Sequence, residues 1–142
     1  MIHDDDTQHV VYHHRGSYLM SLGTITALSM PMHPTYMWIV PMFHCNGWGN
    51  PYTLTALAGT SICMRYVSAK NMFDAIADHK VTHFGGAPIV LNFLAQAKDD
   101  ERRDIAHTVN VVTAGAPPWR SSSSYNINCM SNISSFIIFC LC

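Results

Sequence analysis

The sequence predicts an α/β fold built on a mainly parallel sheet that is flanked by helices. Short runs rich in β-branched and aromatic residues alternate with segments in which apolar residues recur at helical spacing. The connections between them are short and rich in Gly, Pro and Asn. Such alternation is typical of parallel strands joined by helical crossovers. The sequence therefore predicts helices over residues 17–28, 52–58, 68–79 and from 88 onward, and strands over 36–40, 61–67, 81–84 and 109–113.

The first half of the chain is divided by prolines and glycines. Leu19, Leu22, Ile25 and Leu28 recur at the spacing of one helix face, and the prolines that follow end this helix. The β-rich run at 36–40 lies between prolines and predicts a buried strand. Asn-Gly and Gly-Asn pairs within residues 43–51 predict a loop. The next helix, over 52–58, is expected to stop at Gly59.

The second half repeats the strand and helix pattern. Ser68 can cap the helix over 68–79, whose inward face is predicted to hold Phe73, Ile76 and Ala77. Pro88 suits the first turn of the next helix, which carries Val90, Leu91 and Leu94. A charge run at 98–103 predicts a solvated loop or helix end.

Charge is scarce and unevenly distributed. Charged residues make up 12% of the 142 residues, against about 25% in ordinary soluble domains. No Lys, Arg, Asp or Glu occurs from Gly16 to Met64. A membrane span needs about 20 mainly apolar residues, whereas the apolar run over 37–43 is broken on both sides by polar residues and proline. We expect this sequence to be covered by other parts of a larger protein.

Composition also argues against several function classes. The net charge of −1 gives no excess of positive charge for binding nucleic acid. Five scattered cysteines, an odd number, do not resemble a disulfide framework and predict free thiols. Nine histidines occur without HExxH, CxxC or comparable ligand spacing, so no metal site is expected. A catalytic pair of Cys45 with its neighbour His44 is not expected either.

Three loops follow predicted strands, where α/β proteins place their ligands. Residues 41–48 could line an apolar pocket with an imidazole or indole at its mouth, or form a core loop in which His44 satisfies a backbone carbonyl. The tandem glycines at 85–86 allow either a close ligand approach or a tight turn. The small residues at 113–118 could seat a flat purine ring or form an ordinary strand end. Spacing alone leaves these alternatives open.

Five segments together resemble a known family. Residues 10–19, 41–48, 74–79, 81–94 and 112–118 resemble, in order and spacing, the adenylate-forming AMP-dependent acyl-CoA synthetases. The resemblance is strongest to plant-type acyl-activating enzymes for short- and medium-chain or aromatic acids. It implies a partial, incomplete N-terminal ligase domain over 10–118, an unmatched acidic N-terminus over 1–9, and an unmatched Ser-rich and apolar tail over 119–142.

The resemblance also implies roles for individual residues. Such ligases make an acyl-adenylate from a carboxylic acid and ATP, with Mg²⁺, and pass the acyl group to coenzyme A. Residues matching their Phe-His-x-Asn-Gly segment border the acyl group and the thiol path, and the Gly-Gly-Ala-Pro segment forms the acyl wall. The Gly-Ala-Pro segment lies against the adenine, and a basic residue lies near the coenzyme A phosphates. The residues that match the acyl and thiol segment are His44 (a possible gate), Asn46 and Trp48. Those that match the acyl wall are Gly86 and Ala87. The adenine segment matches Gly115, Ala116 and Pro117, and the basic residue near the coenzyme A phosphates matches Arg65.

Several family motifs are not found in the 142 residues. The Ser/Thr/Gly-rich phosphate loop is expected before Val10, where the sequence has Asp4-Asp5-Asp6, whose charges would repel phosphates. The Tyr-Gly-x-Thr-Glu segment with the Mg²⁺-linked Glu is expected after Pro118, and the ribose-binding Asp and the catalytic lid Lys are missing too. We therefore expect an inactive fragment with no complete catalytic set. The change in composition after Trp119 fits a truncated gene model or a retained non-coding stretch.

Two other functions stay open from the sequence. One is a non-catalytic module that binds an acyl group or nucleotide, and the other is an interaction protein that self-associates through exposed apolar surface. The resemblance implies a cytoplasmic or peroxisomal location, although no targeting signal is seen in the chain.

Overall fold

Helices and parallel strands alternate in the computed structural model, which describes residues 11–114 and 133–139. The α-helices are α1 His14–Ala27, α2 Asn50–Ala56, α3 Ala69–His79 and α4 Pro88–Ala95, with 3₁₀ turns at His44–Gly49 and Asp99–Glu101. The strands are β1 Thr35–Trp38, β2 Thr60–Cys63, β3 His83–Gly85, β4 Val109–Ala114 and β5 Ile133–Phe139. The predicted α/β class is confirmed, and the predicted helices and strands are present with shifted ends.

The sheet has the strand order β2-β1-β3-β4-β5, and every neighbouring pair is parallel. β1 lies between β2 and β3, with Tyr36 opposite Ser61 of β2 and His83 of β3. No element is predicted over residues 133–139, although most of them are β-branched or aromatic, as strands favour. The parallel arrangement places the carboxyl ends of all these strands at one edge.

Both faces of β1 are buried. Tyr36 and Trp38 of β1 pack with Leu54 and Leu57 on the face covered by α1 and α2. Met37, between them in sequence, packs on the opposite face with α3, α4 and Phe84 of β3. Alternate residues of a strand point to opposite faces, so a sheet buried on both sides needs nearly continuous apolar strands.

The predicted helix α1 is confirmed, but only half of its predicted apolar face is inward. Ile25 and Leu28 pack against the core, whereas Leu19 and Leu22 are exposed. Ser21 and Thr24 are buried instead. α1 packs closely against α2 and the turn before it, and small side chains permit that approach. The Ser21 hydroxyl donates to the Ser17 carbonyl at 2.8 Å, so its burial leaves no unpaired donor.

The helix α3 follows the prediction more closely. The Ser68 side chain accepts a hydrogen bond from the Asn71 amide at 3.2 Å, which confirms the predicted cap. Phe73 and Ile76 are buried as expected, and Met72 joins them. Ala77 is only half-buried.

Candidate functional site

The candidate site lies at the edge of the sheet formed by the carboxyl ends of the strands. His44, Asn46 and Trp48 follow β1, Arg65 follows β2, and Gly86 and Ala87 follow β3. In parallel α/β sheets, ligands bind at this edge. Gly115, Ala116 and Pro117 follow β4 in sequence but lie outside the described residues.

The segment after β1 has an unusual backbone. Residues 43–51 were predicted as a loop, but His44–Gly49 forms a 3₁₀ turn that leads directly into α2. Four consecutive residues have positive φ angles: Asn46 at 45°, Gly47 at 57°, Trp48 at 56° and Gly49 at 74°. Left-handed backbone costs about 1–2 kcal/mol for each residue that carries a Cβ, and such strain persists where the surroundings hold the segment in place.

Neighbouring atoms leave no room for a side chain at Gly47, and its backbone conformation also favours glycine. A Cβ atom at this position would lie 3.0 Å from the Trp38 ring and 3.3 Å from the Met42 backbone. The turn therefore lies directly on the end of β1.

One buried hydrogen-bond network holds this segment. The Asn50 amide group donates from Nδ2 to the Gly47 carbonyl and to the Tyr36 hydroxyl, both at 3.2 Å. The Tyr36 hydroxyl also lies against Gly85, where an added Cβ atom would be 2.9 Å from it. Burial raises the pKa of Tyr36, so the hydroxyl stays protonated.

The segment predicted to border the acyl group and the segment predicted to form the acyl wall meet at Gly85. A Cβ atom on Gly85 would lie 3.0 Å from the Trp48 ring and 2.9 Å from the Tyr36 hydroxyl. The next residue, Gly86, is buried, and its amide donates to the Val112 carbonyl of β4 at 2.9 Å. Trp48, half-buried, therefore lies against the end of β3.

The remaining predicted residues are placed differently. His44 and Ala87 are exposed, and Ala87 is the residue that precedes the first turn of α4. Asn46 donates from Nδ2 to the Tyr52 hydroxyl at 2.9 Å, which directs its amide toward α2. Tyr36 and Asn50 are not among the predicted site residues, because in the sequence Tyr36 indicates only a strand and Gly49-Asn50 only a turn.

Arg65 is exposed and offers a cation at the same edge. Its guanidinium lies 5.7 Å from the centre of the Tyr66 ring, a distance suited to a cation–π contact. The described segments after β1, β2 and β3, residues 39–49, 64–68 and 86–87, contain no Asp or Glu. Within the described ranges there is also no group of three His, Cys, Asp or Glu that could hold a metal ion. These residues therefore do not fit a Mg²⁺ site.

His83 lies in the Gly-Gly segment but at the start of β3, away from the ligand edge. The Thr82 hydroxyl donates to the Thr35 carbonyl at 3.1 Å, so it must accept from His83 Nδ1, 2.9 Å away. His83 Nε2 then accepts from the Asn110 amide at 3.2 Å. This network fixes a neutral imidazole protonated on Nδ1, and burial lowers the pKa of His83. Its role is structural.

The buried His83 predicts a pH dependence of stability. Its pKa in the folded chain lies below the ordinary value of 6.5, so the unfolded chain binds a proton more readily. The contribution of His83 is therefore fully present above pH 6.5 and is lost as the pH falls below it. We expect the urea midpoint to fall between pH 7.5 and pH 5.5 more in the wild type than in His83→Gln. Equal falls in both proteins would contradict the proposed neutral state.

Among the helices of residues 11–114, none combines the length and apolar character needed to cross a membrane.

The sequence matches known proteins over most of its length. Residues 9–125 match the family described as "AMP-binding enzyme". The chain is 51% identical over 110 residues to acetate/butyrate–CoA ligase AAE7, peroxisomal, of Arabidopsis thaliana, covering 77% of this chain and 19% of that protein. It is 46% identical over 109 residues to trans-cinnamate:CoA ligase, peroxisomal, of Petunia hybrida, with the same two coverages. It is 43% identical over 109 residues to 2-methylpropanoate–CoA ligase CCL4 of Humulus lupulus, again covering 77% and 19%.

Solved structures share the fold at lower identity. The N-terminal domain of FACL13 from Mycobacterium tuberculosis superposes with a TM-score of 0.79 at 21% identity, covering 93% of this chain and 33% of that one. O-succinylbenzoate coenzyme A synthetase from Bacillus subtilis, solved with ATP and magnesium, superposes with a TM-score of 0.58 at 16% identity. The superposition covers 71% of this chain and 21% of that one. The chain spans about a fifth of the length of the curated relatives above. It belongs to the AMP-binding enzyme family, and the plant relatives to which it is similar are named as CoA ligases.

Proposed function

We propose that this chain supplies part of the acyl pocket of an AMP-forming ligase that joins a small carboxylic acid to coenzyme A. The observation that carries the proposal is the contact between Trp48 and Gly85 at the ligand edge of the sheet. An indole ring against a glycine-lined strand end gives a flat apolar wall. The relatives named above are CoA ligases for acetate or butyrate, trans-cinnamate and 2-methylpropanoate, which are all small carboxylic acids.

The other residues take supporting roles in this proposal. Trp48, Gly86 and Ala87 border the acyl group, and exposed His44 controls access for the thiol, with Asn46 beside it. Gly115, Ala116 and Pro117 contact the adenine of ATP or AMP. Arg65, as an exposed cation, suits the phosphates of coenzyme A. The peroxisomal names of two relatives support a peroxisomal location.

Chemistry at the α-phosphate requires groups that the described residues do not supply. Adenylation develops negative charge there, which ligases offset with placed donors and cations, and losing one such donor costs about 10²–10³ in rate. No carboxylate for Mg²⁺ follows β1, β2 or β3 in the described ranges. We therefore propose that the 142 residues alone do not form acyl-adenylates.

An exchange assay tests both parts of the proposal. The isolated chain is expected to give no ATP–pyrophosphate exchange above background with acetate, butyrate, 2-methylpropanoate or trans-cinnamate. A chimera in which residues 10–118 replace the matching segment of the Arabidopsis ligase is expected to be active, because that segment is 51% identical. Trp48→Ala in the chimera should raise the KM for the acid more than the KM for ATP.

The controls separate folding from function. The parent ligase gives the reference rate, and Tyr66→Phe, which alters an exposed ring, should leave the chimera unchanged. A folded chimera without exchange, or exchange by the isolated chain, would contradict the proposal.

Self-association stays a prediction. The outer face of α1 presents Tyr18, Leu19 and Leu22, all exposed, and apolar surface of this kind promotes association. Light scattering at several protein concentrations measures whether the mass of the particle rises.

A further inference from the structure

We propose that Tyr36 and Asn50 are positioning residues that hold Trp48 in place as a wall of the acyl pocket. The inference rests on the proposed function for the role of the pocket, but the hydrogen bonds that carry it do not depend on that function. Neither residue is expected to touch the substrate, since Tyr36 is 1% and Asn50 is 3% exposed.

Asn50 anchors the left-handed segment at its centre. A carbonyl oxygen can only accept a hydrogen bond, so the Gly47 carbonyl fixes the orientation of the Asn50 amide with Nδ2 toward it. The second Nδ2 hydrogen then points to the Tyr36 hydroxyl at 3.2 Å. One side chain therefore ties the turn to β1.

Tyr36 extends this connection to β3. Its hydroxyl lies against Gly85, where an added Cβ atom would be 2.9 Å away, and its ring packs edge-on against Trp38 with centroids 4.9 Å apart. Gly85 is also the residue against which the Trp48 ring lies. Tyr36, which is bonded to Asn50, and Trp48 thus both bring the turn into contact with the same strand end.

The free-energy cost of burying the Asn50 side chain supports a role in positioning Trp48. Its Oδ1 atom is buried with no hydrogen-bond partner among the described residues. An unpaired buried acceptor opposes folding, and the two bonds from Nδ2 must offset that cost. What Asn50 provides is the pair of directed bonds from Nδ2. These bonds hold Trp48 in a left-handed conformation that a bulky residue rarely adopts.

A spectroscopic experiment on the 142-residue chain tests the positioning. The chain is labelled with 5-fluorotryptophan, and the Trp48 resonance is assigned by Trp48→Phe. Tyr36→Phe keeps the ring but removes the hydroxyl, so the Trp48 resonance is expected to shift or broaden. Tyr66→Phe removes a hydroxyl from an exposed ring and should leave that resonance unchanged. Circular dichroism and the urea midpoint report whether each variant is folded.

A second variant covers the case in which Tyr36→Phe does not fold. Asn50→Ala removes both Nδ2 bonds and should perturb the same Trp48 resonance. If a folded Tyr36→Phe or Asn50→Ala chain keeps the Trp48 resonance at the wild-type position and width, the proposal is overturned.

A kinetic measurement connects the positioning to the pocket. In the chimera, Tyr36→Phe should raise the KM for the acid by about tenfold, because small displacements of a binding group weaken alignment, while the KM for ATP is unchanged. Equal rises in both constants would indicate a purely structural role and overturn the proposal. A perturbed Trp48 resonance together with an inactive wild-type chimera would instead refute the proposed function and leave the anchoring of Trp48 intact.

Discussion

Replacing Phe84 by Ala is expected to lower the free energy of unfolding by about 3–5 kcal/mol. Phe84 is fully buried in β3, in the centre of the sheet, where it packs with Met37 and the inner faces of α3 and α4. Removing its ring leaves a cavity that neighbouring strands cannot fill, because their registers are fixed on both sides. Domains have only about 5–15 kcal/mol of stability in total. Urea unfolding followed by circular dichroism measures the loss.

Phe93 provides the matched control for Phe84. It is 45% exposed on α4, so Phe93→Ala removes the same atoms from a site that is already largely in water. We expect a loss below about 1 kcal/mol, as for most surface changes. Similar losses in the two variants would mean that the face beneath α4 is not a packed core.

The sheet and its helices could be predicted because local signals agree with the global fold. Most buried strand residues are β-branched or aromatic, Pro88 and Ser68 begin helices where expected, and α1 ends before the prolines that follow it. The whole inward face of α1 could not be predicted, because it includes the polar residues Ser21 and Thr24, which are buried. Hydropathy identifies apolar faces, but it does not identify helix contacts that depend on small size and internally satisfied hydroxyls.

The position of the candidate site could be predicted, but its supporting network could not. Strand ends followed by Gly, Asn and aromatic residues indicate a ligand edge, and the structure brings Trp48 to Gly85 there. The network that supports this contact pairs residues 14 positions apart, Tyr36 and Asn50. Such a pair becomes visible only when strand register and turn geometry are known. The roles of the predicted site residues stay predictions until the exchange assay is done.

Gly47→Ala is expected to destabilise the chain by about 2–4 kcal/mol and to displace the Trp38 ring. The backbone at this position has φ of 57°, which costs about 1–2 kcal/mol once a Cβ is present. The new Cβ would also lie 3.0 Å from the Trp38 ring and 3.3 Å from the Met42 backbone, and overpacking of this kind typically adds about 1–3 kcal/mol. Urea unfolding measures the loss, and the 5-fluorotryptophan resonance of Trp38 reports the displacement.

Gly23→Ala is the matched control, with the same atoms added in the middle of α1. Nothing lies within 4 Å of a Cβ at Gly23, and the helical backbone suits Ala, so this variant should gain about 0.5–1 kcal/mol. The two substitutions are thus expected to have opposite signs. If Gly47→Ala proved neutral with an unshifted Trp38 resonance, the turn could not be left-handed at Gly47. There would then be no left-handed segment for Asn50 to anchor, so this substitution also tests the premise of the positioning role.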